Sequence, residues 1–126
     1  MEELRGGADV VLKKIMRQAA AERASDVHIE PGASFVRVRF RKDGLLSDRF
    51  CLSSSMAPNL SVRVKVLGRL DVGESRLPQD GSWAEEIDGV PYDFRISVLP
   101  SMYGETIVIR IHTLRSEERR VGKECR

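Results

Sequence analysis

The sequence predicts an α+β domain, a mostly antiparallel sheet with helices packed on one face, in the order helix, three strands, helix, three strands. Three observations carry this. Residues 8–23 place apolar side chains at helical spacing. Phe35–Arg41 and Tyr92–Val98 alternate apolar and polar residues, the pattern of half-buried strands. Asp43-Gly44 and Asp88-Gly89 each stand between two strand-like runs, the strongest short signal for a hairpin turn.

In the first helix Val10, Val11, Lys14, Ile15, Gln18 and Ala19 trace one stripe, with Leu12 and Met16 beside it. Ala19-Ala20-Ala21-Glu22-Arg23 is strong helix-forming sequence, and Gly6-Gly7 breaks any extension toward Met1. Residues 1–7 are therefore expected to be a disordered start. Asp26-Val27-His28-Ile29-Glu30 alternates and is ended by Pro31-Gly32; Phe35–Arg41 turns Val36, Val38 and Phe40 inward and three arginines outward. Leu45–Leu52 is the return strand.

Ser53-Ser54-Ser55 offers helix N-caps. Met56–Leu67 carries two patterns: Val62, Val64 and Val66 alternate like a strand, while Leu60, Arg63, Leu67 and Leu70 keep helical spacing. Pro58 suits a first helical turn, and the segment reads as the second helix. Leu70–Gly81 reads as a long connection, Trp83–Ile87 as a strand and Val90–Val98 as its partner. Pro100–Gly104 reads as a loop and Thr106–His112 as the last strand.

At 126 residues, 41% apolar and 32% charged, the chain has the make-up of one globular domain with a modest core. No run of 18 apolar residues exists, and Met1-Glu2-Glu3-Leu4-Arg5 lacks the apolar stretch of a signal peptide, so the expected location is cytoplasmic. Residues 115–126 hold five basic and three acidic residues; taking them from totals of 21 and 19 leaves 16 of each. A neutral body gives no electrostatic case for nucleic acid or an anionic membrane. Cys51 is the one cysteine of that body, which fits a reducing compartment. Arg115–Arg126 looks like the in-frame translation of a widely used short-read sequencing adapter, and it is expected to be a non-native tail.

Arg76, Arg95 and Arg110 are the candidate anion contacts. Arg76 precedes a Pro78-Gln79-Asp80-Gly81 turn, while Arg95 and Arg110 lie on polar strand faces. Arginine grips phosphate oxygens with parallel hydrogen bonds and is always charged. The plainer expectation pairs these arginines with Asp80, Asp93 and Glu105. Asp26, His28 and Glu30 share one strand face; without a second histidine or a cysteine nearby, a zinc site is not expected. Cys51 reads as a buried small apolar residue, and Trp83 as a core residue or domain-contact anchor. No Gly-x-x-x-x-Gly-Lys-Ser/Thr phosphate loop, Ser–His–Asp set or paired-cysteine motif occurs.

Six segments in order resemble the N-terminal region of the type II secretion and type IV pilus assembly ATPases. Ala24-Ser25-Asp26-Val27-His28-Ile29-Glu30-Pro31 is similar to the family's "ASDIHIEP", and Arg37–Gly44 to its "RxRxRxDG" hairpin. Val62–Glu74 is similar to a helix followed by "LDIAE", and Arg76–Gly81 to the "RxPQDG" turn. Asp93–Ser97 is similar to "DxRVS", and Gly104-Glu105 with Val108-Ile109-Arg110 to "GExxVxR". Ser82 and Ser75 stand where the family commonly has further arginines.

The resemblance spans residues 8–114 and implies a PAS-like domain beside a RecA-like motor domain, and it supports the helix reading of 56–67. It implies that Arg76 and Arg95, with Arg110 as a weaker candidate, contact the phosphates of ATP, supported by Pro78, Gln79, Asp80 and Gly81. ATP and Mg²⁺ would be held mainly by the motor domain, and this chain alone would be inactive. The implied partners are that motor domain, neighbouring subunits of a homohexamer, and the inner-membrane platform of a secretion or pilus system, with no nucleic acid. A stand-alone PAS-like sensor or binding module is the rival reading.

Overall fold

Strand alternation and helix periodicity together gather the buried apolar side chains between one sheet and two helices. The computed structural model describes residues 1–114; the adapter-like segment 115–126 lies outside the described residues. The elements are β1 Glu2–Glu3, α1 Ala8–Ala21, β2 Asp26–Pro31, β3 Phe35–Lys42, β4 Leu45–Ser53, α2 Met56–Gly68, β5 Gln79–Ile87, β6 Val90–Ser101 and β7 Gly104–Thr113. They form one seven-stranded sheet in the order β1-β4-β3-β2-β7-β6-β5. Every pairing is antiparallel except β1 with β4.

The core lies between the sheet and the two helices. Val27, Ile29, Val38, Phe40, Phe94, Ile96, Val98, Ile107 and Ile109 are buried in the sheet, and Val11, Leu12, Ile15, Met16, Leu60 and Val64 in the helices. Phe40 meets Phe50 edge-on at 5.9 Å, and Trp83 pairs with Phe94 across β5 and β6 at 4.8 Å. Such ring pairs add about 0.5–1.5 kcal/mol beyond their buried area.

The two hairpin turns arise where Asp-Gly requires them. Asp43 and Gly44 have φ of 52° and 80°, and Asp88 and Gly89 have 50° and 79°, the left-handed conformations of a two-residue turn whose twist matches the strands. Each helix stops at an arginine in the same region: Arg23 at φ 59° and Arg69 at φ 58°. There Ala24 donates back to the Ala19 carbonyl and Leu70 to the Lys65 carbonyl.

Several sequence expectations need correction. The start is ordered at its first residues: Glu2–Glu3 pairs with Phe50–Cys51, Leu4 donates to the Cys51 carbonyl, and the Leu4 side chain is buried. A lone leucine beside Gly-Gly gives no periodic signal, so this short edge strand escapes a pattern search. The α1 stripe is rotated from the expected one, burying Val11, Leu12, Ile15, Met16 and Ala19 while Val10 is 60% exposed. In α2 the helical pattern wins, with Leu60 and Val64 buried and Val62 and Val66 exposed on the far side.

The supporting turn is also displaced. Only Pro78 lies in the connection; Gln79, Asp80 and Gly81 begin β5 opposite Val98, Ser97 and Ile96. The expected 100–104 loop is a tight turn, since Ser101 and Gly104 already pair. Gly81 is required by close packing. A Cβ there would sit 2.8 Å from the Gly68 carbonyl oxygen and 2.8 Å from a Leu70 methyl, and one on Gly68 would sit 2.7 Å from Ile96 Cδ1. The end of α2 therefore rests directly on β5 and β6. Gly81→Ala is expected to destabilise the domain by about 1–3 kcal/mol through overpacking. Ser82→Ala, on the exposed side of the same strand, is expected to stay within about 0.5 kcal/mol. Urea unfolding of the two variants checks this, and equal midpoints would refute it.

Candidate functional site

The sheet face turned away from the helices collects the charged residues. By register, Ser82, Arg95, Arg110, Asp26 and Arg41 form one row across β5, β6, β7, β2 and β3. Arg95 and Arg110 are direct cross-strand neighbours, with side chains 65% and 67% exposed. Each has a carboxylate. Arg95 Nε donates to Asp93 Oδ2 at 2.7 Å, and Arg110 Nε to Asp26 Oδ1 at 3.2 Å.

Asp26 is the anchor of this row, nearly buried although it faces the open side. Its second oxygen accepts from Ser25 Oγ at 3.1 Å and lies 3.8 Å from Arg41 Nε. The central position of β2 explains this: one carboxylate there reaches guanidinium groups on both neighbouring strands. Exposed ion pairs contribute only about 0–1 kcal/mol, so Arg95 can exchange its carboxylate for another anion at small cost, whereas releasing Arg110 would leave the buried Asp26 to Ser25 and Arg41.

The next row places Asp80, Ser97, Val108, His28 and Arg39 side by side. Arg39 grips Glu30 with two hydrogen bonds of 2.9 Å, and this raises its pKa. Burial lowers the His28 pKa, with Arg41 and Arg39 adding to the effect and Glu30 and Asp26 opposing it. The Asp26–His28–Glu30 face is thus a salt-bridged strand surface. Among the described residues, no group of three or more His, Cys, Asp or Glu side chains is arranged to hold a metal ion.

Arg76 is set apart from the other two arginines, on the connection between α2 and β5. That connection is folded around Gln79, whose amide accepts from the Asp71 N–H at 2.8 Å and donates to the Asp71 and Glu74 carbonyls at 2.9 and 3.3 Å. Glu74 Oε2 accepts from the Arg76 backbone N–H at 2.7 Å, and Asp71 Oδ1 from Gly73. Arg76 itself is exposed. The structure therefore brings Arg95 and Arg110 together and leaves Arg76 on a separate, internally bonded loop.

Of the expected pairings only Arg95 with Asp93 forms. Arg110 takes Asp26, and Glu105 is held by Lys65, which the sequence reading did not single out. The signal was present: Ser61, Lys65 and Gly68 share helical spacing on the buried side of α2. Gln79, expected only to support a turn, organises the loop through its side chain. Trp83 is a core residue, donating its indole N–H to Glu85, and Cys51 is half-buried. Among the described residues, no helix is long and apolar enough to cross a membrane.

The family model described as "Type II/IV secretion system protein" matches residues 5–122. The chain belongs to this family. It is 43% identical over 101 residues to the protein transport protein HofB homolog of Escherichia coli K12, covering 80% of this chain and 22% of that protein. It is 40% identical over 107 residues to the type II secretion system protein HxcR of Pseudomonas aeruginosa, covering 83% and 23%. It is 39% identical over 101 residues to the type II secretion system ATPase E of Vibrio cholerae, covering 80% and 20%. The chain thus spans about a fifth of the length of these relatives.

The salt-bridged face of this secretion-family domain carries a pH signature. Because the folded His28 resists protonation, the unfolded chain takes up the proton first as pH falls below about 6.5. Stability contributed by the neutral imidazole is complete above that value and is lost as pH falls toward the depressed folded pKa. The midpoint of thermal unfolding should drop between about pH 7 and 5.5, and His28→Gln should flatten that drop. Identical slopes for the two proteins would contradict the assignment.

Proposed function

We propose that this chain is the domain preceding the motor in a secretion or pilus-assembly ATPase. In this reading Arg76 and Arg95, with Arg110 as a secondary contact, reach the phosphates of ATP bound by the RecA-like motor domain. The observation that carries the proposal is the neighbouring pair Arg95 and Arg110 on an open sheet face, Arg95 bound by Asp93 two residues away and Arg110 by the buried Asp26. Two exposed guanidinium groups side by side fit the spread negative charge of a triphosphate, and Arg95 can exchange its partner at small cost.

In the assembled enzyme these cations would stabilise charge developing on the transferred phosphoryl group and couple closure of the domain to hydrolysis. ATP and Mg²⁺ would be held mainly by the motor domain. The partners would be that domain, adjacent subunits of a homohexamer and the inner-membrane platform of the secretion or pilus system, at whose cytoplasmic surface the complex would work. The printed name of the Vibrio cholerae relative, an ATPase of a type II secretion system, supports this reading. Against a stand-alone sensor, the space between helices and sheet is filled by Ile15, Phe40, Leu60 and Phe94, so a ligand there would have to displace core side chains.

In the complete ATPase, Arg76→Ala or Arg95→Ala is expected to lower kcat by about 10²–10³-fold, or roughly 2.7–4 kcal/mol, with little change in nucleotide affinity. Steady-state hydrolysis together with nucleotide-binding titration checks this. Wild-type turnover in both variants overturns the proposal.

A further inference from the structure

Lys65 is buried in the face of α2 that meets the sheet, with 2% of its side chain exposed. Its ammonium lies 2.9 Å from Glu105 Oε1 and donates to the Glu74 backbone carbonyl at 2.5 Å. Glu105, at the start of β7, has a side chain only 9% exposed, and its Oε2 is buried without a hydrogen-bond partner among the described residues. Three separate segments therefore meet at one charge pair: α2, β7 and the connection that carries Arg76.

The chemistry of this pair is unusual for a purely stabilising contact. Removing two charges from water costs several kcal/mol per ion in real proteins, and apolar replacements of similar volume are often neutral or stabilising. A carboxylate oxygen left without a partner adds to the cost. What the pair supplies that an apolar pair cannot is a directed hydrogen bond to the Glu74 carbonyl. The Glu74 side chain in turn accepts from the Arg76 N–H through Oε2, so residues are linked in the order Glu105, Lys65, Glu74, Arg76, with the backbone carbonyl and the carboxylate of Glu74 making the two bonds. Gln79 closes the same loop from its other side.

We infer that the Lys65–Glu105 pair is a latch that fixes the 70–78 connection and thereby sets where Arg76 presents its guanidinium. Lys65 and Glu105 are positioning residues for the phosphate contact. The functional consequence rests on the proposed function, whereas the latch stands on the bond chain alone.

The test uses Lys65→Met combined with Glu105→Leu, which removes both charges while keeping bulk in the site. Lys65→Met by itself strands a buried carboxylate and can fail to fold, so the double variant is the readable one. Backbone ¹⁵N relaxation on the whole chain gives the first readout. Order parameters at Gly73, Glu74 and Arg76 are expected near the rigid value of about 0.85 in the parent and below about 0.6 in the double variant, with β6 and β7 unchanged. An unchanged loop in a folded double variant overturns the latch.

The second readout is turnover in the complete ATPase. The double variant is expected to lose kcat to the same extent as Arg76→Ala, with KM retained and little further loss when the substitutions are combined. Parent-level kcat in the double variant overturns the positioning role. Should Arg76→Ala itself turn over normally, the phosphate-contact reading fails, and the relaxation data still decide the latch.

Discussion

Both helices lie on one face of a single sheet, and nearly every other feature of the domain depends on that asymmetry. The inner face is closed by α1 and α2 over Val27, Val38, Phe94 and Ile109. Strand alternation then sends each intervening residue to a face with no helices on it. That face must be polar to stay in water, and here it is built from arginines, aspartates and glutamates in cross-strand register. The apolar pattern that folds the domain and the charged pattern proposed to serve ATP are two halves of one alternation.

Two close approaches sharpen this arrangement. Gly68 and Gly81 let the end of α2 touch β5 and β6 without a side chain between them. The 70–78 connection therefore leaves the helix at a fixed place beside the start of β5, where Gln79 and Lys65 bind its backbone. On the other side of the sheet, Asp26 in central β2 draws Arg110 and Arg41 from both flanking strands. Arg110, Arg41 and the 70–78 connection are thus positioned by buried or nearly buried polar groups, which hold geometry better than exposed pairs do.

Much of this was legible in the sequence. Asp43-Gly44 and Asp88-Gly89 give their turns because few other dipeptides accept two successive positive φ values. The order of helices and strands followed from periodicity. The start of β5 was hidden because its inward positions, Gln79 and Gly81, are polar or small; they face loop backbone and helix backbone instead of an apolar core. The ambiguity in α2 came from Val62 and Val66, exposed residues whose spacing mimics a strand. The partners of the arginines could not be read, since Arg110 meets Asp26 only because β7 lies beside β2, 84 residues away in sequence. Local pairing rules favour Glu105 or Asp93 and cannot anticipate strand order.

The proposed role of this domain is to bring its arginines to nucleotide phosphate. The most direct measurement is a structure of the complete ATPase with a non-hydrolysable ATP analogue bound. In at least one subunit the guanidinium of Arg76 or Arg95 is expected within about 2.7–3.1 Å of a phosphate oxygen, with the Arg95–Asp93 pair opened where Arg95 makes the contact. Nucleotide-loaded subunits in which Arg95 stays on Asp93, Arg110 stays on Asp26 and Arg76 stays in solvent would contradict it.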